Sequence, residues 1–317
     1  MFAICVECSH ARGMGHLYRA LNLAAELKKG KILYRLYLNE HSPSQQILTA
    51  NEIPHSVVNL DDISNDWETW LIRRDGITLW INDRLDTQIS HAQKIKSAGI
   101  PLVTFDDRGA GAVLADLHIA ALSFNPNEKL GGLKLLRGID YLILNPQIEV
   151  YKRKRSRLES ILITLGGSDT HGVTVKVVKL LKEMGLAATV VVGPSFMHTE
   201  SLERELTEDF ALKSGVPSLI KEFYRHDLAI TGGGITPFEA NASGLPCIVV
   251  ANEQFEIPVA EALQILGGVI FVGHHESLNM PMFDCNLPLT KMSLAGLSSI
   301  DLLGVKRVVA ALQELGI

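Results

Sequence analysis

Short apolar runs alternate along this chain with stretches whose apolar residues recur every three to four positions. The opening run Phe2-Ala3-Ile4-Cys5-Val6 predicts a strand over residues 2–7. From His16 to about Lys28, Leu17, Leu21, Ala24 and Leu27 fall on one face of a helix. Further strands are predicted at 32–38, 78–82, 102–105 and 117–122, with helices around 42–50, 65–74 and 87–98. The rhythm then restarts. Strands at 161–165, 189–192, near 211–213, 228–231, 247–250 and 269–272 alternate with helices at 173–184, 199–207, 217–225, 235–243 and 256–266. A closing helix is predicted over 299–315, with Leu302, Val305, Val309 and Leu312 on one face. Alternation of this kind implies βαβ units and parallel sheets. The expected class is α/β: two Rossmann-like domains, 1–150 and 151–317, facing across a cleft at the C-terminal ends of their sheets.

Composition changes that picture little. A length of 317 residues agrees with two domains, and 47% apolar residues suffice for ordinary cores. The net charge of −5 gives no reason to expect a nucleic-acid partner. Lys152-Arg153-Lys154-Arg155-Ser156-Arg157 is the one dense charge run; it reads as a solvated linker, with contact to phosphates or anionic lipid as the other reading. Cys5, Cys8, Cys247 and Cys285 are too few and too unevenly placed for a disulfide framework. The Cys5–Cys8 spacing lacks the second pair of a zinc site, so no metal is expected. The N-terminus carries no basic leader, and no apolar run approaches the ~20 residues of a membrane span. A soluble, cytoplasmic protein without stable membrane insertion is expected; its oligomeric state is not legible.

Candidate chemistry collects where predicted strands end. Thr231-Gly232-Gly233-Gly234-Ile235-Thr236-Pro237-Phe238-Glu239 joins a strand to a helix, a setting in which backbone N–H groups meet an anion. Glycines let the backbone approach a phosphate, and Glu239 offers an acceptor to sugar hydroxyls. Together they predict a nucleoside diphosphate site. Gly13-Met14-Gly15-His16 follows the first strand in the same way, but Tyr18 stands where a dinucleotide fingerprint needs its third glycine. His16 is placed to move a proton near neutral pH, and Arg19 to meet a phosphate or carboxylate. Asp83, Asp106 and Asp107 end two neighbouring strands; Asp83 and Asp107 are the expected catalytic acids, and Asp86 a helix cap. Gly166-Gly167-Ser168-Asp169 repeats the strand–glycine turn without the Lys-Ser/Thr of a P-loop, and Asp169 is expected to cap the next helix. Glu256 lies on a loop expected to reach the sugar. His274-His275 reads as a surface turn.

Three of these motifs, in this order from residue 1 to about 273, resemble GT-B nucleotide-sugar enzymes. They are Gly13-x-Gly15-His16-x-x-Arg19, Thr164-Leu165-Gly166-Gly167-Ser168-Asp169 and Gly232-Gly233-Gly234-x-x-x-x-Glu239-x-x-x-x-Gly244-Leu245-Pro246. The pattern looks like the group that holds spore coat polysaccharide biosynthesis proteins and the UDP-sugar hydrolase of pseudaminic acid synthesis, and more distantly the MurG-type transferases. The resemblance implies a catalytic histidine at His16, a ribose-binding glutamate at Glu239 and a diphosphate held by Gly232, Gly233 and Gly234. It further implies a UDP-sugar donor, a saccharide or water as acceptor, and no cofactor. Asn82–Thr87 and Val103–Gly109 look closer to the spore-coat members. The hydrolases carry Arg and Asp where this chain has Cys5 and Glu7, and a D-x-Y element where it has Asp83-Arg84-Leu85. A glycosyltransferase is therefore expected. The alternatives are a hydrolase of the UDP-2,4-diacetamido-2,4,6-trideoxy-sugar type and, after it, an NAD-dependent oxidoreductase.

Overall fold

A computed structural model describes residues 1–317 apart from 10–13, 63, 126, 168, 280–285 and 316–317. Its described residues form two compact units, one of 1–9, 16–143 and 303–315, the other of 14–15 and 144–302. The closing residues thus belong with the first unit, where the sequence reading kept 151–317 together.

The first unit carries seven strands: β1 (Phe2–Val6), β2 (Tyr34–Leu38), β3 (His55–Val57), β4 (Leu79–Asp83), β5 (Leu102–Phe105), β6 (Leu117–Ala120) and β7 (Lys134–Arg137). They form one parallel sheet in the order β3-β2-β1-β4-β5-β6-β7. Every residue of β1 and β4 is buried, as central parallel strands covered on both faces require. Helices α1 (Gly15–Lys29), α2 (Ser42–Ala50), α3 (Trp67–Asp75) and α4 (Ile89–Ser97) supply the crossovers. Leu17, Ala20, Leu23, Ala24 and Leu27 are the apolar residues that α1 buries, and Tyr37, Trp80, Ile95 and Leu102 sit in one core cluster.

In the second unit, β8 (Ile161–Thr164), β9 (Ala188–Val192), β10 (Phe210–Ser214), β11 (Leu228–Thr231), β12 (Cys247–Ala251) and β13 (Val269–His274) form a parallel sheet ordered β10-β9-β8-β11-β12-β13. A four-residue helix, α5 (Ile148–Tyr151), precedes it. Between and after the strands run α6 (Val173–Glu183), α7 (Thr199–Glu203), α8 (Leu219–Arg225), α9 (Thr236–Ala242), α10 (Ile257–Leu266) and α11 (Leu289–Ser299). The helix that closes the chain, α12 (Gly304–Gln313), returns to the first unit, where Arg307 donates to the Asp140 carbonyl at 3.1 Å and Lys134 pairs with Glu314 at 2.8 Å.

Each sheet reverses its strand order once, between β1 and β4 in the first unit and between β8 and β11 in the second. Crevices beyond the carboxyl ends of strands at such a reversal are where open α/β sheets bind ligands. No described helix is long and apolar enough to cross a membrane.

The basic run, expected as a solvated linker, is solvated at Lys152, Lys154 and Arg157 but not at Arg155. Arg155 is 1% exposed. Its guanidinium donates to the carbonyls of Phe223 at 2.6 Å and Arg153 at 2.7 Å, and also to that of Ser243. Arg153 donates to the carbonyls of Tyr224 and His226 and pairs with Asp227 at 2.8 Å. Apart from that of Arg153, these carbonyls lie at the C-terminal ends of α8 and α9, where helical C=O groups lack partners and the dipole favours a cation.

Candidate functional site

In the first unit, the strand-order reversal brings the start of α1 to the end of β4. The Asp83 carboxylate accepts from His16 Nδ1 at 2.6 Å and from Arg19 Nε at 2.9 Å and Nη2 at 2.5 Å. Arg19 Nη1 bonds the Asp106 carboxylate, whose other oxygen accepts the Leu122 N–H at 2.8 Å. Burial opposes the charge of Asp83, but Arg19 and His16 outweigh it and hold the carboxyl down at about 2. An ionised Asp83 only accepts, so His16 Nδ1 donates, and in the neutral imidazole Nε2 is then the ring nitrogen with the lone pair. The 3.3 Å approach of Arg19 Nη2 to Nδ1 is therefore a contact between two donors, not a second hydrogen bond.

Arg19, expected to meet a ligand, is 4% exposed and engaged by Asp83 and Asp106. It holds the two carboxylates and presents no free fork to a phosphate. Asp107, expected as a catalytic acid, points elsewhere: its Oδ1 accepts the N–H groups of Thr87 at 3.0 Å and Gly109 at 2.8 Å and so braces the loop after β4. Asp106 stands in the His16 cluster instead, with a left-handed φ of 47°, a strained conformation for a side-chain-bearing residue. Two adjacent aspartates at a strand end look alike in sequence; only the chain's turn after β5 decides which carboxylate faces His16. Asp86 caps no helix, since α4 starts after Gln88 with no side-chain cap. Gly15 opens α1, and Gly13 lies outside the described residues.

The reversal in the second unit brings together the loops after β8 and β11. Asp169 caps α6 through the N–H groups of Val173 at 2.7 Å and Thr174 at 2.8 Å, as expected. Gly167 accepts the Ser195 N–H at 3.1 Å, which ties its loop to the one after β9; Ser168 lies outside the described residues. Glu239, on α9, accepts the Asn145 N–H at 3.1 Å. Part of Glu239 reaches solvent, yet protein encloses its carboxyl, and burial pushes the group up to about 7 against the help of that N–H.

Three glycines in this loop serve two purposes. A Cβ on Gly232 would lie 2.7 Å from Asn252 Nδ2, and one on Gly233 2.7 Å from Glu256 Cβ. The protein's own 252–256 loop fills those spaces. Only at Gly234 does the position of a Cβ meet nothing within 4 Å. Glu256, expected to reach a sugar, instead accepts the N–H groups of Gly233 at 3.1 Å and Asn252 at 2.7 Å through one oxygen.

His274-His275, expected as a surface turn, instead belongs to a partly buried histidine group. His275 is buried, with its ring stacked on His171 at 4.5 Å and tilted against His274 at 4.3 Å. One ligand atom each from His274, His275 and Glu276 lies within 4.8 Å of the others. Lys176 Nζ stands 3.0 Å from His275 Nδ1, a cation beside the ring. Cys5 and Cys8 are buried free thiols that burial pushes up to about 12 and about 11.

Two parallel-sheet Rossmann-like units in this order are the fold of the GT-B glycosyltransferases. Among solved structures, the chain superimposes on MurG of Acinetobacter baumannii with a TM-score of 0.63, 13% identity and 99% of each chain covered. The spinosyn forosaminyltransferase SpnP gives 0.67 at 12% identity, covering 99% of this chain and 98% of that one. A UDP co-structure of S. aureus MnaA gives 0.63 at 15%, covering 98% and 96%. Identities this low establish the fold alone. By sequence, the spore coat polysaccharide biosynthesis protein SpsG of Bacillus subtilis is a distant relative, 24% identical over 98% of this chain and 97% of its own length. The uncharacterized protein MJ1062 of Methanocaldococcus jannaschii is 28% identical over 80% of this chain, which spans 56% of that protein's length. No protein-family profile matches the chain.

Proposed function

We propose that the protein is a glycosyltransferase-like enzyme that cleaves the anomeric C–O bond of a UDP-sugar in the synthesis of a surface or spore-coat polysaccharide. The likeness to SpsG and the GT-B fold support the class. One observation carries the chemistry: the 2.6 Å bond from His16 Nδ1 to an ionised Asp83 leaves Nε2 as a base. In this reading the residues around 1–150 form the catalytic and acceptor side, and those around 151–317 bind the donor. His16 takes the proton of the attacking hydroxyl, Asp83 stabilises the imidazolium that results, and the glycine loop receives the diphosphate that departs. Glu239 accepts from the ribose hydroxyls. Asp83, Arg19 and Asp106 are positioning residues for His16. The same base removes a proton from water, so a UDP-sugar hydrolase follows from the same dyad when no saccharide is present.

Release of UDP from a panel of UDP-sugars, with and without saccharide acceptors, tests the proposal. His16→Ala is expected to lose at least ~100-fold in kcat, the usual worth of a positioned base. Asp83→Asn should lower kcat while leaving KM for the donor near its wild-type value. A His16→Ala protein that turns over at the wild-type rate would remove the mechanism.

A further inference from the structure

Gly233 presents its N–H at the carboxyl end of β11, at the strand-order reversal, where the donor reading places the diphosphate. That N–H is already taken by an anion. Glu256 Oε2 accepts it at 3.1 Å together with the Asn252 N–H at 2.7 Å, so one carboxylate oxygen stands where a phosphate oxygen would stand. The contact is built into the sequence. Gly233 has no room for a Cβ because Glu256 Cβ would lie 2.7 Å from it. The 3₁₀ turn Gln254–Glu256 that leads into α10 fixes the approach. Charge around the carboxylate is unfavourable: burial disfavours its ionised form, and Glu253 on the same turn adds a second negative charge. Backbone N–H groups, those of Asn252 and Gly233 foremost, hold the carboxylate against both effects, as they would hold a phosphate.

We propose that Glu256 is an internal stand-in for the donor's phosphate, which vacates the Gly233 N–H when a nucleoside diphosphate binds and sets the affinity of the site by competing for it. This inference rests on the donor reading of the glycine loop. Binding exchanges one anion for another on the same N–H. In this account the carboxylate keeps the loop's shape between turnovers, and departure of UDP after the reaction is assisted by its return. Glu256 is in this account a residue that tunes phosphate affinity, not one that recognises the sugar.

Glu256→Gln tests it, because the amide oxygen can still accept both N–H groups while the negative charge is gone. Binding of UDP, inorganic pyrophosphate and uridine is measured by calorimetry on wild type and variant. UDP and pyrophosphate should bind the variant at least ~10-fold more tightly, as expected when a like charge beside a phosphate is removed, and uridine no differently. UDP binding that is unchanged or weaker in Glu256→Gln overturns the inference while the donor site stands. Equal tightening of uridine also overturns it, since the effect would then not concern phosphate. Should neither protein bind UDP at all, the donor reading itself fails and takes the inference with it. Should the Gln variant unfold, Glu256→Asp serves instead: its shorter arm withdraws the carboxylate from Gly233, and the same tightening of UDP and pyrophosphate over uridine is expected, its absence overturning the inference.

Discussion

At the scale of single residues, the two candidate carboxylates behave in opposite ways because their surroundings differ in charge. Asp83 is buried beside Arg19 and His16 and stays ionised to about pH 2. Glu239 is raised by burial, against the Asn145 N–H alone among the described residues, and titrates at about 7. A carboxyl whose folded pKa exceeds its unfolded value of about 4.3 favours the folded state below that value and loses the benefit as pH rises through 7. Glu239→Gln should therefore melt like wild type near pH 4.5 and be more stable by on the order of 2 kcal/mol at pH 8.5. Parallel unfolding curves at the two pH values check this; an unchanged gap between them would show that Glu239 is not desolvated. Residue types and their order along the chain made His16, Asp83 and Glu239 visible in sequence. The choice of Asp106 over Asp107, and the capture of Arg19 between two carboxylates, follow from side-chain directions that no spacing encodes.

Among the elements, those that read correctly have long apolar runs or a clear helical face, such as β1, α1 and β12. The strands the sequence hid are the edges. β3 (His55-Ser56-Val57) is three residues long, and β7 has two exposed residues among four, so neither shows the apolar run of a central strand. Helix α11 was also missed. Arg155 misled for a different reason: a run of basic residues signals solvent unless unsatisfied carbonyls converge on it, and the ends of α8 and α9 do. Replacing it removes the guanidinium donors from the Phe223 and Ser243 carbonyls, which keep only the N–H groups of His226 and Arg153. Arg155→Met should destabilise the protein by about 3 kcal/mol in urea titrations, whereas Lys154→Met, on the same run, should stay within about 0.5 kcal/mol. Equal effects would return the run to a linker. The glycine loop permits a similar contrast. Gly233→Ala meets Glu256 and should lose about 1–3 kcal/mol, while Gly234→Ala, with open space at its Cβ, should keep wild-type stability and weaken UDP binding. Stability loss at Gly234 together with normal UDP binding would show that the open position is not where the ligand sits.

For the whole molecule, the architecture was the most legible level, since alternating strands and helices leave few topologies once crossovers are right-handed. The return of α12 to the first unit was not legible: its apolar face is amphipathic in pattern but carries no mark of the unit that will bury it. Gly304 shows how close that packing is, with a Cβ there falling 1.9 Å from the Leu142 carbonyl oxygen. The first sheet places His16, Asp83 and Asp106 at its strand-order reversal and the second places the loop of Gly232, Gly233 and Gly234 at its own, the positions where open α/β sheets bind ligands. The central claim is that the second unit holds a uridine nucleotide through Glu239 and the glycine loop. A thermal-shift panel of UDP, GDP, CMP, TDP and NADH on wild type and Glu239→Ala tests it most directly. A ligand at ~100 times its dissociation constant adds about 2.7 kcal/mol, a rise of several degrees for a protein of this size. The account predicts such a rise with UDP on wild type and its loss in Glu239→Ala; a response to NADH alone, or UDP stabilisation that survives the substitution, would contradict it.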